Sequence, residues 1–279
     1  MAGADGFPWV GQARGRAERQ GDLQAVARLD AVRWTLLVPD ELEREIHVRR
    51  VLATGSSEQR RAAAATLGGQ GDAAMPALRE LLDDPDTLVR EATVHALTQM
   101  PGDDAIAAMA LMLHASDSNL RMVAAQQLGE TDNPAAAAAL APALNDPDEI
   151  VALTAIASLR QLKARSQAGA LIAALSDDRW RIRAAAAEAV GELKLPQAAD
   201  KLRAMLKDSD AYLVRAALEA LGAIGQPPSA EEIQQLLLTS PDLTQIAVKQ
   251  LTKGLDAKRV AELVELFKKL QPEYQAALL

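Results

Sequence analysis

Apolar residues along the chain recur at a fixed long interval. Leu37, Leu67, Leu97, Leu128, Leu159, Val190, Leu221 and Leu251 form one column, with steps of 30 or 31 residues. Leu52, Leu82, Leu113, Leu144, Leu175, Leu206, Leu237 and Phe267 form a second column with the same steps. Two columns sharing one period over eight successive stretches identify an internal repeat, one supersecondary unit long. Inside each repeat the apolar positions follow the i, i+3, i+4 spacing of a helix buried on one side. Residues 88–100 show it at Val89, Ala92, Val94, Ala96 and Leu97, and residues 74–82 at Met75, Leu78, Leu81 and Leu82. Each repeat is therefore predicted to be a pair of helices.

The polar positions punctuate this pattern. Between repeats lie Asp83-Asp84-Pro85-Asp86, Asn145-Asp146-Pro147-Asp148, Ser176-Asp177-Asp178 and Lys207-Asp208-Ser209-Asp210. Asp, Asn and Ser there can cap the following helix, and Pro is tolerated at its start. Within repeats the breaks are softer, at Gly68-Gly69, Pro101-Gly102, Asn133-Pro134 and Pro196. Alanine clusters, such as Ala62 to Ala65 and Ala184 to Ala187, sit in the first helix of a pair and allow close approach of helix axes. A single pair cannot bury its apolar stripe, whereas stacked pairs bury a continuous core. The expected fold is all-α: a right-handed α-solenoid of about eight helix pairs over residues 22–270. A Gly-rich N-terminal arm at 1–21, with Trp9 and Phe7 able to pin it, precedes the solenoid. A short C-terminal tail at 271–279 follows it.

Residues 177–193, DDRWRIRAAAAEAVGEL, resemble the signature of short bacterial HEAT-like repeats, of the kind also found in phycobilisome lyase subunits. Residues 208–224 and 84–100 follow the same pattern less closely. The resemblance implies a HEAT-like solenoid whose second helices line a concave wall, and it implies a ladder of Asp and Arg residues linking successive turns. Asp84 precedes Arg90 by six residues and Asp177 precedes Arg183 by six. Arg60 and Arg121 occupy the same Arg slot, and Asp146 and Asp208 the same Asp slot, with gaps at Ala115, Ala152, Val214 and Thr244. Carboxylates repeated once per helix pair are a lattice feature, so the ladder is read as structural: an Asp near a helix start accepts orphan N–H groups and an Arg bridges two such Asp residues.

Composition agrees with helices and removes several chemistries. The chain has 58 Ala and 41 Leu among 279 residues, seven aromatics and no Cys, so cysteine-based metal, disulfide and nucleophile chemistry is excluded. No Gly-rich phosphate loop and no G-x-S-x-G motif is present. The three histidines, His47, His95 and His114, share no ligand motif, and no His-Glu pair of the kind that HEAT-like hydroxylases use for iron occurs. Neither a cofactor nor a metal is expected. Met75, Met100, Met109 and Met112 fall in core columns, so their clustering reads as packing rather than as an adaptable surface.

Charge is local. The chain carries a net −8, and residues 62–160 alone hold four basic and 14 acidic groups. That argues against nucleic acid, and so against the HEAT-like DNA glycosylases, and it favours a protein or peptide partner of basic character. The variable slots of the second helices read Arg79, Ala110, Ala141, Ile172 and Arg203 in one row, and Glu80, Leu111 and Pro142 beside it. These residues are the candidate partner-binding groove. Trp180, flanked by Arg179 and Arg181, is the candidate hot spot; its other reading, favoured here, is a Trp packed across an inter-repeat seam. No 18-residue apolar run spans a membrane and no signal-peptide core leads the chain, so a cytoplasmic location is expected, with an exported mature form as the other option. The function expected is a non-enzymatic interaction scaffold. The alternative, a bilin-lyase-like accessory protein, follows only from the family analogy. Partner identity and oligomeric state are not readable from the residues.

Overall fold

The computed structural model describes residues 41–100 and 102–239, together with isolated helical positions on either side. All regular elements among the described residues are helical. They are α1 (Glu41–Thr54), α2 (Ser57–Leu67), α3 (Met75–Leu82), α4 (Thr87–Thr98), α5 (Asp103–Met112), α6 (Ser118–Gly129), α7 (Ala135–Leu140), α8 (Glu149–Gln161), α9 (Ala168–Ala174), α10 (Trp180–Glu192), α11 (Ala199–Met205), α12 (Ala211–Ala223) and α13 (Ala230–Thr239). Even-numbered elements are the first helices of the pairs and odd-numbered ones the second. The architecture is an all-α helical-repeat solenoid. The arm at 1–21, the tail at 271–279, and Leu37 and Leu251 of the first column lie outside the described residues, apart from isolated positions such as Ala17, which is helical and buried.

The chain divides into two compact units, Met1–Ala139 and Leu140–Leu279. In the first, α2 packs along α4 and α4 along α6, with α3 against α4 and α5 against α6. Its core takes Leu67, Leu97 and Leu128 from the first column and Leu82 and Leu113 from the second, all buried. In the second unit α8 packs along α10 and α10 along α12, with α9 and α11 fitted against them. Leu159, Val190 and Leu221 fill its first column and Leu144 and Leu175 its second. Leu52 and Leu206 are half-buried. Burying a Leu side chain stabilises by about 1.5–3 kcal/mol, so the two columns carry much of the stability.

The alanines act through helix spacing. Ala184, Ala186, Ala187, Ala216, Ala217 and Ala220 are buried where α10 meets α12. At Gly191 an added Cβ would lie 3.0 Å from the Ala220 Cα, so the two helices touch main chain to main chain.

The described first helices of the second unit, α8, α10 and α12, each end in a left-handed residue that turns the chain toward its partner helix. Lys163 (φ 51°), Lys194 (φ 52°) and Gly225 (φ 76°) occupy one repeat column. The residue after each donates back to a carbonyl five residues earlier: Ala164 to Leu159, Leu195 to Val190 and Gln226 to Leu221, all at 3.0 Å. This is the Schellman closure, and it satisfies carbonyls the helix end leaves free.

Candidate functional site

The turns between repeats fix where the second helices sit, and one side-chain pattern builds those turns. In four of them an Asp accepts the N–H two residues ahead: Asp84 from Asp86 (2.9 Å), Asp146 from Asp148 (2.8 Å), Asp177 from Arg179 (2.9 Å) and Asp208 from Asp210 (2.9 Å). The residue that donates is the helix N-cap. Asp86, Asp117, Asp148 and Asp210 cap α4, α6, α8 and α12 with their own carboxylates. Arg179 stands in the same column, and α10 has no side-chain cap.

The ladder arginines are paired differently from the sequence expectation. Arg90 donates Nη1 to the main-chain oxygen of Asp84 at 2.5 Å rather than to its carboxylate. Arg183 likewise donates to the main-chain oxygens of Asp177 (2.8 Å) and Asp178 (2.9 Å). The carboxylate of Asp84 faces the preceding repeat instead, where Arg60 binds it with Nε at 2.5 Å and Nη2 at 3.0 Å. Arg183 reaches Asp208 of the following repeat at 3.4 Å. One arginine therefore bridges a carboxylate in the next repeat and a carbonyl in its own, not two carboxylates.

At Ala152 the rung lacks its arginine, and Arg179 replaces it from the other side. Its Nε and Nη2 lie 2.9 Å from Asp177 Oδ1 and Oδ2, and its Nη1 lies 2.7 Å from the main-chain oxygen of Asp146. These are the two kinds of acceptor that Arg60 and Arg90 serve elsewhere. Arg179 is thus tied into the ladder. The hydrogen bond from Arg179, against an opposing push from burial, holds the Asp177 carboxyl below its ordinary value. At Asp84 burial pushes the carboxyl up. The Arg60 hydrogen bond, the Asp86 N–H and the charges of Arg60 and Arg90 outweigh it, so that Asp84 is also lowered.

Trp180 is 43 % exposed and packs edge-to-face on Tyr212 of the next first helix, with ring centroids 5.8 Å apart at 80°. The Arg181 guanidinium lies 5.2 Å from the Trp180 ring centroid while its Nη1 pairs with Glu149 at 3.1 Å. Arg160 on α8 ties α10 through Glu188 (3.5 Å) and Glu192 (2.7 Å). Tyr212 donates its hydroxyl to Glu188 at 3.4 Å; the Glu188 charge, with burial and this hydrogen bond, raises the Tyr212 pKa above its ordinary value. Trp180 is both a seam residue and an exposed aromatic. Sequence reading missed Tyr212 because it shares its column with Arg181, one residue past Trp180. The signal was present in the exposed members of that column, Leu88, Ile150 and Tyr212.

On the second helices of the N-terminal unit, Arg79 and Glu80 on α3 are exposed, Ala110 on α5 is half-buried and Leu111 is 63 % exposed. Arg79 pairs with Asp104 of α5 at 3.4 Å. In the C-terminal unit Ala141 and Ile172 are half-buried and Pro142 is exposed. Arg203 on α11 pairs with Glu232 on α13 at 3.3 Å and borders a cleft of about 420 Å³ floored by Leu206 and Leu236. The cleft was not foreseen, because Lys207 and Ser209 read as turn residues. Among the described residues no group of His, Asp and Glu side chains is arranged to hold a metal ion. No described helix is long and apolar enough to cross a membrane.

The sequence profile of HEAT repeats matches residues 48–121, 107–172 and 168–252. No curated protein matches the chain significantly. Solved structures show similar folds. An Escherichia coli protein, YibA, is 16% identical with a TM-score of 0.53, over 84% of this chain and 90% of that one. A chain in a homology model of the AP-3 complex is 15% identical with a TM-score of 0.50, over 78% of this chain and 46% of that one. A chain from the complex of CpcE and CpcF of phycocyanin lyase, from a Nostoc species, is 23% identical with a TM-score of 0.42, over 81% of this chain and 94% of that one.

Proposed function

Because the chain belongs to the HEAT-repeat family, we propose that it is a non-enzymatic adaptor that holds a protein or peptide partner on its second helices. Stacked helix pairs offer extended surfaces of this kind, and their variable positions set the choice of partner. The observation that carries the reading is the exposure of apolar side chains in those variable slots. Leu111 is 63 % exposed on α5, and Pro142 and Ile172 reach solvent in the same two rows. A cytoplasmic location and a partner of basic character form part of the proposal, the second because residues 62–160 hold 14 acidic and four basic groups.

The test is affinity capture with the full chain from lysate of its source. Wild type is expected to retain a partner that Leu111→Asp and Ile172→Asp release, with unchanged far-UV circular dichroism. Equal capture by wild type and both variants overturns the reading.

A further inference from the structure

Two neighbouring pairs of second helices, α3 and α5 in the N-terminal unit and α9 and α11 in the C-terminal unit, carry opposite charge. In the N-terminal unit, α3 and α5 with the turns that enter and leave them cover residues 68–83 and 100–114. These stretches hold Asp72, Glu80, Asp83, Asp103 and Asp104 against one cation, Arg79. All five acids are exposed. Arg79 is already committed to Asp104. The equivalent stretches around α9 and α11, 161–176 and 193–207, hold Lys163, Arg165, Lys194, Lys201, Arg203 and Lys207 against one acid, Asp200. Five of these cations are exposed; Arg203 is half-buried and committed to Glu232 of α13, a helix that itself carries Glu231 and Glu232.

The inversion falls on the same slot at two places. Asp72, Asp103 and Arg165 share one slot of the 31-residue repeat, and Asp83 and Lys207 share another. At the remaining charged positions the opposition is one of net sign, since Arg79 and Arg203 share a slot and carry the same charge. Each surface also carries an apolar element, Leu111 on the acidic side and Ile172 on the basic side. Surfaces of opposite potential accelerate encounter and fix register, and a desolvated apolar contact adds affinity.

We propose that this chain self-associates. The acidic surface of α3, α5 and their turns on one protomer docks on the basic surface of α9, α11 and their turns on its partner. The proposal needs no outside partner, so it stands or falls separately from the adaptor reading.

The experiment is sedimentation equilibrium of the full chain between about 0.1 M and about 1 M salt, where the screening length drops from about 10 Å to about 3 Å. The expected weight-average mass at low salt is well above 29.6 kDa and falls toward it at high salt. Two charge-reversed chains sharpen the test. One carries Glu80→Lys with Asp83→Lys, and the other Lys201→Glu with Lys207→Glu. Each alone removes most of the charge opposition, taking the acidic stretches from −4 to 0 or the basic ones from +5 to +1, and is expected to stay monomeric at low salt. An equimolar mixture restores opposite charge and is expected to regain the high mass. All four sites are exposed, and an unchanged circular dichroism spectrum controls for folding. A wild type that is monomeric at the lowest salt overturns the proposal. So does self-association that resists both salt and reversal, or a mixture that stays monomeric while wild type associates.

Discussion

Arg179 grips the carboxylate of Asp177 through two parallel bonds, Nε to Oδ1 and Nη2 to Oδ2, both at 2.9 Å. Its third bond, 2.7 Å to the main-chain oxygen of Asp146, completes a rung for which Ala152 has no side chain. Two departures from the repeat thus offset one another: an Arg is missing at 152, and an Arg stands at 179 where other repeats place a capping Asp.

That exchange predicts a non-additive pair of substitutions. Arg179→Asp restores a cap worth about 1 kcal/mol but removes the guanidinium from the Asp177 carboxylate and the Asp146 carbonyl, for a net loss of about 1–3 kcal/mol. Ala152→Arg alone crowds a buried site and also destabilises. Together they rebuild the regular rung, and chemical denaturation should show a favourable coupling of about 0.5–3 kcal/mol. Simple additivity would show that Arg179 is not the replacement rung.

Asp84 and Asp177 make stability depend on acid. Both carboxyls titrate lower in the folded chain than in the unfolded one. The stability they contribute is fully present above the unfolded value of about 4 and is lost as pH falls through the lower folded values. Asp84→Asn and Asp177→Asn should each cost stability at neutral pH and flatten the fall below about pH 4. A variant with the wild-type acid profile contradicts the assignment.

Lys163 and Lys194 hold positive φ where Gly225 stands in the next repeat. A left-handed residue with a Cβ costs roughly 1 kcal/mol relative to glycine at such a helix end. Lys194→Gly is therefore expected to stabilise the chain by about 0.5–1 kcal/mol, read from the denaturation midpoint. Destabilisation would mean that the lysine side chain supplies something beyond its backbone angle.

Gly191 meets the Ala220 Cα at a distance that leaves little room for a Cβ. Gly191→Ala gains helix propensity but forces α10 from α12, and the overpacking cost of about 1–3 kcal/mol should prevail. An unchanged or raised melting midpoint would show that this helix contact gives way easily.

The fold was legible because one period governs it. Leu97, Leu128, Leu159 and Val190 could be aligned by eye, and each is fully buried. The ladder was legible as positions but not as atoms. Spacing places Asp84 six residues before Arg90, yet it does not say whether the guanidinium meets a carboxylate or a carbonyl. Arg179 was legible as an oddity beside Trp180 but not as a rung, since it enters from the repeat after the gap. Trp180 and Tyr212 lie 32 residues apart, one off the period, and a contact between neighbouring columns leaves no mark in either. The opposed charges of the two units were half legible. The acidic centre is a matter of counting, but the matching basic slots emerge only once the second helices are placed.

The adaptor proposal places the partner on the second helices. Hydrogen–deuterium exchange of the chain with and without its captured partner measures this directly. Protection is expected in α3, α5, α9 and α11, around Glu80, Leu111, Ile172 and Arg203, with α4, α10 and α12 unchanged. Protection confined to the first helices, around Ile150, Trp180 and Tyr212, would contradict it.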